Sequence, residues 1–344
     1  MNTDYVKHPA LDYGSVVEIS EPILIRNTTN YHLDAGGATI VWTGAANVWP
    51  IRIQSAIWCS ISNLRVISTT KSNAVALITN EPGELGSTGC RLTNVVGADG
   101  SSEQEGFKYG FQIDSTAIGG ADQNNDLHVL DACGVYKYSD AAYYLRGTQV
   151  HNITLKNCHS VDYVGGRWPK GVHLYNTGYV NVRDCNMGGH SYDIYSEGPD
   201  TRIVVDGLNS EHSRKLGRNS TNGAESFVSF KNVRWEGDPL PEDPVVFEGF
   251  GCGPFGFENG WVDGDVGSSP RMTFTNYSDG QRTIKGSLRM FGWCFGQQVT
   301  EYEPGAGPEV SVPRGWAFLQ SGCVHITKKG FPWIRRAIRV ERGI

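Results

Sequence analysis

The sequence predicts an all-β chain wound into a solenoid of parallel strands. Three observations predict it. A short strand-like sequence motif, called the phrase, recurs along the chain, and each aligned position is apolar or polar in nearly all copies. The residues between copies show no helical periodicity. The phrase is clearest where ITLKNC at 153–158 is followed by VNVRDC at 180–185. Each copy has apolar, polar, apolar and basic residues before an Asn or Asp and a Cys.

Eight copies of the phrase align on a column of Asn, Asp or Gly. The reference residues are Asn63, Asn94, Asp131, Asn157, Asp184, Gly207, Asn232 and Asn259. Residues two and four positions earlier are apolar in every copy, and the positions between them are mostly polar or charged. This alternation predicts a short β-strand with one buried face. Because Asn, Asp and Gly tolerate a left-handed backbone conformation, the column predicts a tight turn at the end of that strand.

A second column of strands accompanies the first. Its copies are IRI at 51–53, VAL at 75–77, FQI at 111–113, YYL at 143–145, VHL at 172–174 and YDI at 192–194. Copies of the first phrase lie 23 to 37 residues apart, which is too long for a hairpin and leaves room for a second strand in each coil. A solenoid grows along one axis, so the 344 residues predict one elongated domain.

With its strand columns and Asn-rich turn, the sequence resembles the right-handed parallel β-helix of the pectate-lyase-like superfamily. The segment YHLDAGGATIVWTG at 31–44 resembles the first coil of phage tailspike-type β-helices, where a Gly-Gly turn separates two strands. The resemblance implies an all-β fold in which one chain forms a right-handed parallel β-helix over residues 31–300. Residues 1–30 are then expected to be an N-terminal cap and residues 301–344 a C-terminal capping segment.

Composition excludes several classes of function. A net charge of −6 argues against a general nucleic-acid binder, because neutralising phosphates requires a basic surface. The start MNTDYVKHPALDYG has no apolar run, so we expect neither a signal peptide nor membrane insertion. The eight cysteines include four at inward or turn positions of the repeat, which predicts free buried thiols. No CxxC or Cys/His spacing indicates zinc, and we expect no metal or other cofactor.

The first candidate site is an acidic ladder, defined as Glu211, Glu236 and Asp263, four residues after the reference column in three consecutive coils. Equivalent side chains on adjacent strands lie about 4.8 Å apart. Carboxylates about 5–5.5 Å apart suit a retaining glycosidase, and about 6.5–9.5 Å suits an inverting one. Trp235 stands beside the ladder as a possible sugar-stacking face. Alternatively, the ladder only keeps the surface soluble, near counter-charges such as Arg234.

The second candidate site is the outward face of the other strand column. Alignment of that column predicts an outward row of Gln112, Tyr144, His173 and Asp193, followed by a row of Asp114, Arg146, Tyr175 and Tyr195. Polar, aromatic and ionisable side chains along a groove suit a long uronic or neutral glycan. A Tyr, His or Arg on this face could also serve as the base of a lyase, with Asp193 as a further catalytic candidate. The alternative is an ordinary solvated strand face.

The resemblance implies a phage tailspike or tail-fibre depolymerase that binds and cleaves a bacterial surface polysaccharide by carboxylate-assisted hydrolysis. Such a protein is expected as a homotrimer in the virion tail, made in the host cytoplasm and in contact with other tail proteins. Two alternatives stay open: a receptor-binding or structural tail protein without chemistry, and a polysaccharide lyase, secreted if its signal was trimmed. The Trp-Ile-Asp-His and Arg-x-Pro-x-x-Arg phrases of pectate lyases are missing, which argues against calcium-dependent pectate cleavage.

Overall fold

The structure, a computed structural model, describes residues 5–99, 106–162, 168–199, 201–220, 227–238, 240, 245–250, 255–264, 271–275 and 282–291. These residues form 29 strands and no helix, which confirms the all-β prediction. No helix that could span a membrane therefore occurs in this part of the chain.

The strands are numbered in chain order. The first fifteen are β1 Tyr5–Lys7, β2 Val16–Ile19, β3 Ile23–Arg26, β4 His32–Trp42, β5 Ile51–Gln54, β6 Ser60–Ser68, β7 Lys71–Thr79, β8 Ser87–Thr88, β9 Arg91–Asp99, β10 Gly106–Asp114, β11 Asn125–Asp126, β12 Val129–Asp131, β13 Gly134–Tyr136, β14 Tyr138–Arg146 and β15 Val150–His151. The others are β16 Ile153–Lys156, β17 His159–Val161, β18 Lys170–Tyr175, β19 Tyr179–Arg183, β20 Asn186–Gly188, β21 Tyr192–Glu197, β22 Arg202–Asp206, β23 Asn209–Glu211, β24 Gly217–Ser220, β25 Phe227–Gly237, β26 Val245–Phe250, β27 Phe255–Gly264, β28 Arg271–Thr275 and β29 Arg282–Phe291.

The strands stack into a parallel β-solenoid of the right-handed type with about eight turns. Sheet A has eleven strands in the order β1-β3-β5-β7-β10-β14-β18-β21-β24-β26-β28. Sheet B has fifteen strands and contains the strands of the first column together with the strand segments that follow the turn of each coil. The small sheet C consists of β15, β11 and β8. One coil, for example, runs from β7 in sheet A through β8 in sheet C to β9 in sheet B, and β10 then returns to sheet A. From Ile19 to Phe247, the apolar side chains of successive coils meet between the sheets in one continuous core.

The first strand column has the predicted register in most coils. Leu155 pairs with Val182, Val182 with Val205, and Val205 with Phe230, and all four side chains are buried. These are the inward residues that the alternation identified. The predicted parallel sheet is therefore confirmed over these coils.

One copy of this column is shifted by one residue. Leu130 pairs with Leu155, whereas Leu127, predicted to face inward, is 44% exposed. His128 takes the buried position instead. Its Nδ1 accepts a hydrogen bond from the Cys90 N–H at 3.0 Å, and its Nε2 donates to Asn125 Oδ1 at 2.8 Å. Burial lowers the pKa of His128 to about 3, so a neutral imidazole fills an apolar position.

The turn column adopts the predicted left-handed conformation. Positive φ angles of 50–75° occur at Asn63, Asn94, Asn157, Asp184, Gly207 and Asn232. In the shifted copy, Ala132 has the positive φ instead of the predicted Asp131. Side-chain amides link successive turns: Asn94 Nδ2 donates to Asn63 Oδ1 at 3.0 Å, and Asn63 Nδ2 donates to Asp34 Oδ1 at 2.9 Å. The Gly-Gly pair of the first coil follows the same rule, since Gly36 and Gly37 both have positive φ. The Asn ladder thus joins the coils along this corner.

Parallel pairing begins before residue 31, within the segment predicted to be the cap. Strand β2 pairs in parallel with β4, and β3 pairs in parallel with β5. Strand β1 then runs antiparallel against the free edge of β3, and Tyr5 lies beneath the Arg26 guanidinium at 5.3 Å. An antiparallel cover of this kind protects an edge strand from pairing with another chain. Residues 301–344 lie outside the described residues.

The five cysteines in the described part of the chain are free and buried. Each thiol lies against a backbone carbonyl of the preceding coil, at 3.2–3.6 Å: Cys59 on Thr28, Cys90 on Ala56, Cys133 on Leu92, Cys158 on Leu130 and Cys185 on Leu155. Cys therefore occupies these sites as a small side chain with a weak donor.

We expect all eight thiols to react when the denatured protein is titrated without reductant. In the native protein, the five described thiols should react slowly, because all five are buried away from the reagent. At Cys90, burial also raises the pKa to about 12, and the thiolate is the reactive form. Titration of four or fewer thiols after denaturation would contradict the assignment and favour a secreted, disulfide-bonded protein.

Candidate functional site

Five rings form a continuous row on the outward side of sheet A. Tyr109 stacks on Tyr144 with ring centroids 4.5 Å apart, and Tyr144 lies 5.0 Å from His173. His173 makes an edge contact with Tyr195 at 5.1 Å, and Tyr195 lies 5.3 Å from Tyr192. These five residues are called the aromatic row. The row crosses four adjacent strands of the solenoid.

Strand register creates this row. Tyr144 pairs with His173, and His173 pairs with Tyr195, so their side chains leave the sheet at equivalent positions of successive coils. Tyr109 pairs instead with Ala74 and Ala141, whose small side chains leave room for its ring to lean towards Tyr144. The prediction that Tyr144 and His173 stack outward is therefore correct.

His173 is held as a neutral, oriented imidazole. Its Nε2 lies 2.8 Å from Glu197 Oε1, and Tyr195 Oη donates to Glu197 Oε2 at 3.4 Å. Because a carboxylate accepts hydrogen bonds, Nε2 carries the proton and Nδ1 keeps its lone pair. Burial lowers the pKa of His173 and outweighs the opposite effect of Glu197. Nδ1 is buried and has no hydrogen-bond partner within the described part of the chain.

Tyr144 and Tyr195 of the row have pKa values above the ordinary value of tyrosine. Burial raises the pKa of Tyr144 to about 12, although Arg146 acts in the opposite direction. Burial also raises the pKa of Tyr195, and the Glu197 carboxylate adds to the effect. At neutral pH the row therefore offers uncharged rings with hydroxyl groups that can donate or accept hydrogen bonds.

Asp114 and Gln112 lie in the predicted rows but are occupied by neighbouring groups. Trp49 Nε1 donates to Gln112 Oε1 at 2.9 Å, and Gln112 Nε2 donates to Asp114 Oδ2 at 3.2 Å. The other Asp114 oxygen accepts hydrogen bonds from the backbone N–H and the hydroxyl of Thr116. Asp114 is buried, and its contacts fix the loop after β10.

Arg146 and Tyr175 continue the second predicted row. They pair with each other across β14 and β18, and the Arg146 guanidinium lies 5.6 Å from the centre of the Tyr175 ring. Both side chains are exposed. Glu197 is the next member of this row because it pairs with Tyr175. Tyr195, assigned to this row from the sequence, belongs instead to the row of Tyr144 and His173.

Asp193 does not lie on this face, so the prediction that its side chain points outward is wrong. It is fully buried, and its carboxylate accepts hydrogen bonds from Ser210 and Ser213 at 2.6 Å each. His190 Nδ1 lies 3.0 Å from Asp193 Oδ1. The reason is a bend in the strand at which two consecutive residues, Asp193 and Ile194, both point inward. Alternation from Ile194 then places Tyr195 outward.

The acidic ladder has the predicted register but carries an arginine. Glu211 pairs with Glu236, and Glu236 pairs with Asp263. Arg234 Nη1 lies 3.6 Å from Glu211 Oε1, and Arg234 Nη2 contacts Glu236 Oε1. The guanidinium thus bridges the two glutamates and compensates their mutual repulsion. The Asp263 side chain lies outside the described residues.

Trp235 is fully buried, so its prediction as a sugar-stacking face is wrong. It lies between Arg234 and Glu236 on β25, whose side chains point outward. Because side chains alternate along a strand, Trp235 must point into the core. The Gly237 Cα also approaches the indole closely, since a Cβ at that position would lie 2.0 Å from the ring.

Comparison with known proteins gives no match to a protein-family model and no match among curated proteins. In the described residues, no group of three or more His, Cys, Asp or Glu side chains is arranged to hold a metal ion. The candidate site therefore consists of the aromatic row, with the acidic ladder as a second surface on sheet B.

Proposed function

We propose that this chain is a tailspike-like protein that binds a bacterial surface polysaccharide along the aromatic row. The single observation that carries the proposal is the run of five rings with neighbouring centroids 4.5–5.3 Å apart. A pyranose ring has an apolar C–H face and a rim of hydroxyl groups. Aromatic faces with polar edges complement both surfaces.

The length of the row also supports a polymeric ligand. Adjacent strands lie about 4.8 Å apart, so the row from β10 to β21 extends over roughly 14 Å. Several consecutive sugars can contact a surface of that length. Because the rings are fixed on strands of a packed solenoid, little conformational entropy is lost when a glycan binds.

Cleavage of the bound polysaccharide is the second part of the proposal, and two catalytic assignments compete. In the first, Glu211 and Glu236 hydrolyse the glycosidic bond as proton donor and partner carboxylate. The two glutamates pair on adjacent strands, which lie about 4.8 Å apart in the hydrogen-bonding direction. Carboxylates at that spacing are closer to the retaining than to the inverting geometry. The bridging Arg234 is a cost to this assignment, because a general acid must hold a proton.

A lyase is the second assignment, with the neutral, Glu197-oriented His173 as its candidate base. The burial of Nδ1, the nitrogen that keeps the lone pair, is a cost to this assignment. A base removes the proton from C5 beside a uronate carboxyl group, and the C–H electron pair forms the C4=C5 double bond. The glycosidic oxygen then leaves with the electrons of the broken C4–O bond and accepts a proton. His173 and the hydroxyls of Tyr144 and Tyr195 are the basic and acidic groups available on this face.

A panel of capsular and O-antigen polysaccharides tests these possibilities. Retention of one polysaccharide by the protein supports binding, and absence of binding to the whole panel contradicts it. New reducing ends without an unsaturated product indicate hydrolysis, whereas ultraviolet absorbance from a C4=C5 bond indicates a lyase. Binding with neither product identifies a non-catalytic receptor-binding protein.

The Glu211→Gln/Glu236→Gln double variant tests the hydrolase assignment. We expect folding and glycan binding to survive, because Gln keeps the shape and most hydrogen bonds of Glu. Turnover should fall about 10²-fold or more, the usual contribution of a positioned proton donor. Asp263→Asn is the control within the ladder and should have a smaller effect. Unchanged cleavage by the double variant would remove the ladder and move the assignment to His173 and Tyr175.

A homotrimeric state, a place in a virion tail and contact with other tail proteins complete the proposal. They rest on the resemblance of the sequence to tailspike β-helices. Light scattering of the purified protein distinguishes a trimer from a monomer by mass.

A further inference from the structure

Basic side chains surround the aromatic row. Lys108 lies over Tyr109 at 4.9 Å, Lys170 over Tyr195 at 5.0 Å, Lys215 over Tyr192 at 5.6 Å and Arg218 over Tyr195 at 5.8 Å. Arg146 lies over Tyr175 at 5.6 Å, and Arg214 over Trp168 at 4.1 Å. These six residues are called the basic border. They come from strands β10, β14, β18 and β24 and from the segment before β24.

Carboxylates on the same face are fewer than the basic groups, and they contact neighbouring side chains. Lys170 Nζ lies 3.2 Å from Asp140 Oδ1, and Glu248 contacts both Lys215 and Arg218. Glu197 is bound by His173 and Tyr195, which are uncharged at neutral pH. With the buried Asp114, the described residues of this face hold four carboxylates beside the six basic groups. The face is therefore positive in a chain whose net charge is −6.

The position of the basic groups is as informative as their number. Four of the six lie within 6 Å of the centre of a ring of the row, which holds their charge beside it. Arg146 and Arg214 lie over Tyr175 and Trp168, which are outside the row. A carboxylate or phosphate on a sugar that stacks on the row would meet these groups. At Lys108 and Arg146, such an anion would exchange a weak cation–π contact for a charge-assisted hydrogen bond. Lys170, Lys215 and Arg218 already contact Asp140 or Glu248 and would share their charge with the anion. A neutral sugar would displace the same groups without that gain.

We infer that the aromatic row is specific for an acidic polysaccharide, one that carries carboxylate or phosphate groups along its backbone or branches. This inference rests on the proposed function and specifies the ligand of the same site. Rings stack on the sugar faces while the basic border binds the anionic groups. The acidic remainder of the protein surface repels the same polymer and confines it to this face.

Binding of purified protein to the polysaccharide panel, divided into acidic and neutral members, tests the inference. We expect binding to acidic members only, with an affinity that falls as sodium chloride is added, because salt screens exposed charges. The best carboxylated ligand is then reduced to its neutral form. We expect the reduced polymer to bind about tenfold or more weakly, since several charge-assisted hydrogen bonds are lost.

Charge-removing variants locate the effect. Lys170→Gln and Arg146→Gln should each weaken binding of the acidic ligand severalfold and reduce its salt dependence. Lys156→Gln is the matched control, because Lys156 is an exposed residue on β16 of sheet B and its loss changes the net charge equally. Binding to neutral members only, or equal binding of the reduced polymer, would overturn the acidic specificity and leave the proposed function intact. Failure to bind any polysaccharide would remove both.

Discussion

A Leu155→Asp variant is expected not to fold. Leu155 is fully buried in the middle of sheet B, between Leu130 and Val182 of the neighbouring coils. A carboxylate there would face apolar side chains without a partner, at a cost of several kcal/mol or protonation of the group. Total stabilities of proteins are only about 5–15 kcal/mol. We expect insoluble protein, or soluble protein without the circular dichroism of a β-solenoid.

Thr154→Asp is the matched control for this experiment. Thr154 precedes Leu155 on the same strand and is partly exposed on the outer surface of the sheet. The same side chain introduced there can reach water, so the variant should fold with a melting temperature near that of the wild type. A Leu155→Asp protein that is soluble and melts like the Thr154→Asp protein would show that the inward column is wrongly assigned.

Loss of the central ring should have the largest effect on glycan binding. Tyr144 contacts both Tyr109 and His173, so Tyr144→Ala opens a gap in the middle of the aromatic row. Removing a central aromatic anchor from an interface costs about 2 kcal/mol or more, which corresponds to about thirtyfold in affinity. Affinity electrophoresis or calorimetry with the best ligand of the panel measures this loss.

Tyr136→Ala controls for the loss of a tyrosine elsewhere. Tyr136 is exposed on β13 of sheet B, away from the row, and touches the ring of His159 at 5.3 Å. It should leave affinity unchanged. Equal affinities of Tyr144→Ala and wild-type protein would contradict the assignment of the row as the binding surface.

The first strand column could be predicted from the sequence because its signals are local. Asn63 and Asn157 tolerate the left-handed turn by their own chemistry, and the alternation before them reports burial directly. His128 could not be predicted in the same way. Its burial depends on hydrogen bonds from Cys90 and to Asn125, and the first of these partners belongs to the preceding coil. A hydrophobicity pattern holds no information about such partners.

The second column was harder to align because its strands bend. At the bend, Gly110 and Phe111 both point inward: a Cβ on Gly110 would lie 2.5 Å from Val135 across the core, and Phe111 stacks on the buried Tyr143. The simple period of two fails at such a point, and this misplaced Asp193. The YDI copy also pairs two residues later than the sequence alignment indicates, because Val172 lies opposite Ile194 and not opposite Tyr192. This slip places Tyr195 beside His173 and Glu197 beside Tyr175.

The sequence therefore predicted the kinds of residue in the candidate site correctly, but it placed some individual residues wrongly. Tyr144, His173, Tyr175 and Arg146 lie where the sequence placed them because their strands align without a shift. Trp235 is adjacent to Glu236 in sequence, but its side chain is buried and does not share the surface of the ladder. The alternation of β25 separates the two.

Because coils pair only with their nearest neighbours, the length of the outward face can change without disturbing the rest of the fold. Each coil pairs only with the coil before it and the coil after it, and side-chain hydrogen bonds between turn residues join several successive coils at one corner. Duplication or loss of a whole coil would therefore preserve the register of all the others. Each added coil would lengthen the outward face by about 4.8 Å. The number of sugars in contact could then evolve by integer steps, independently of the chemistry at each ring.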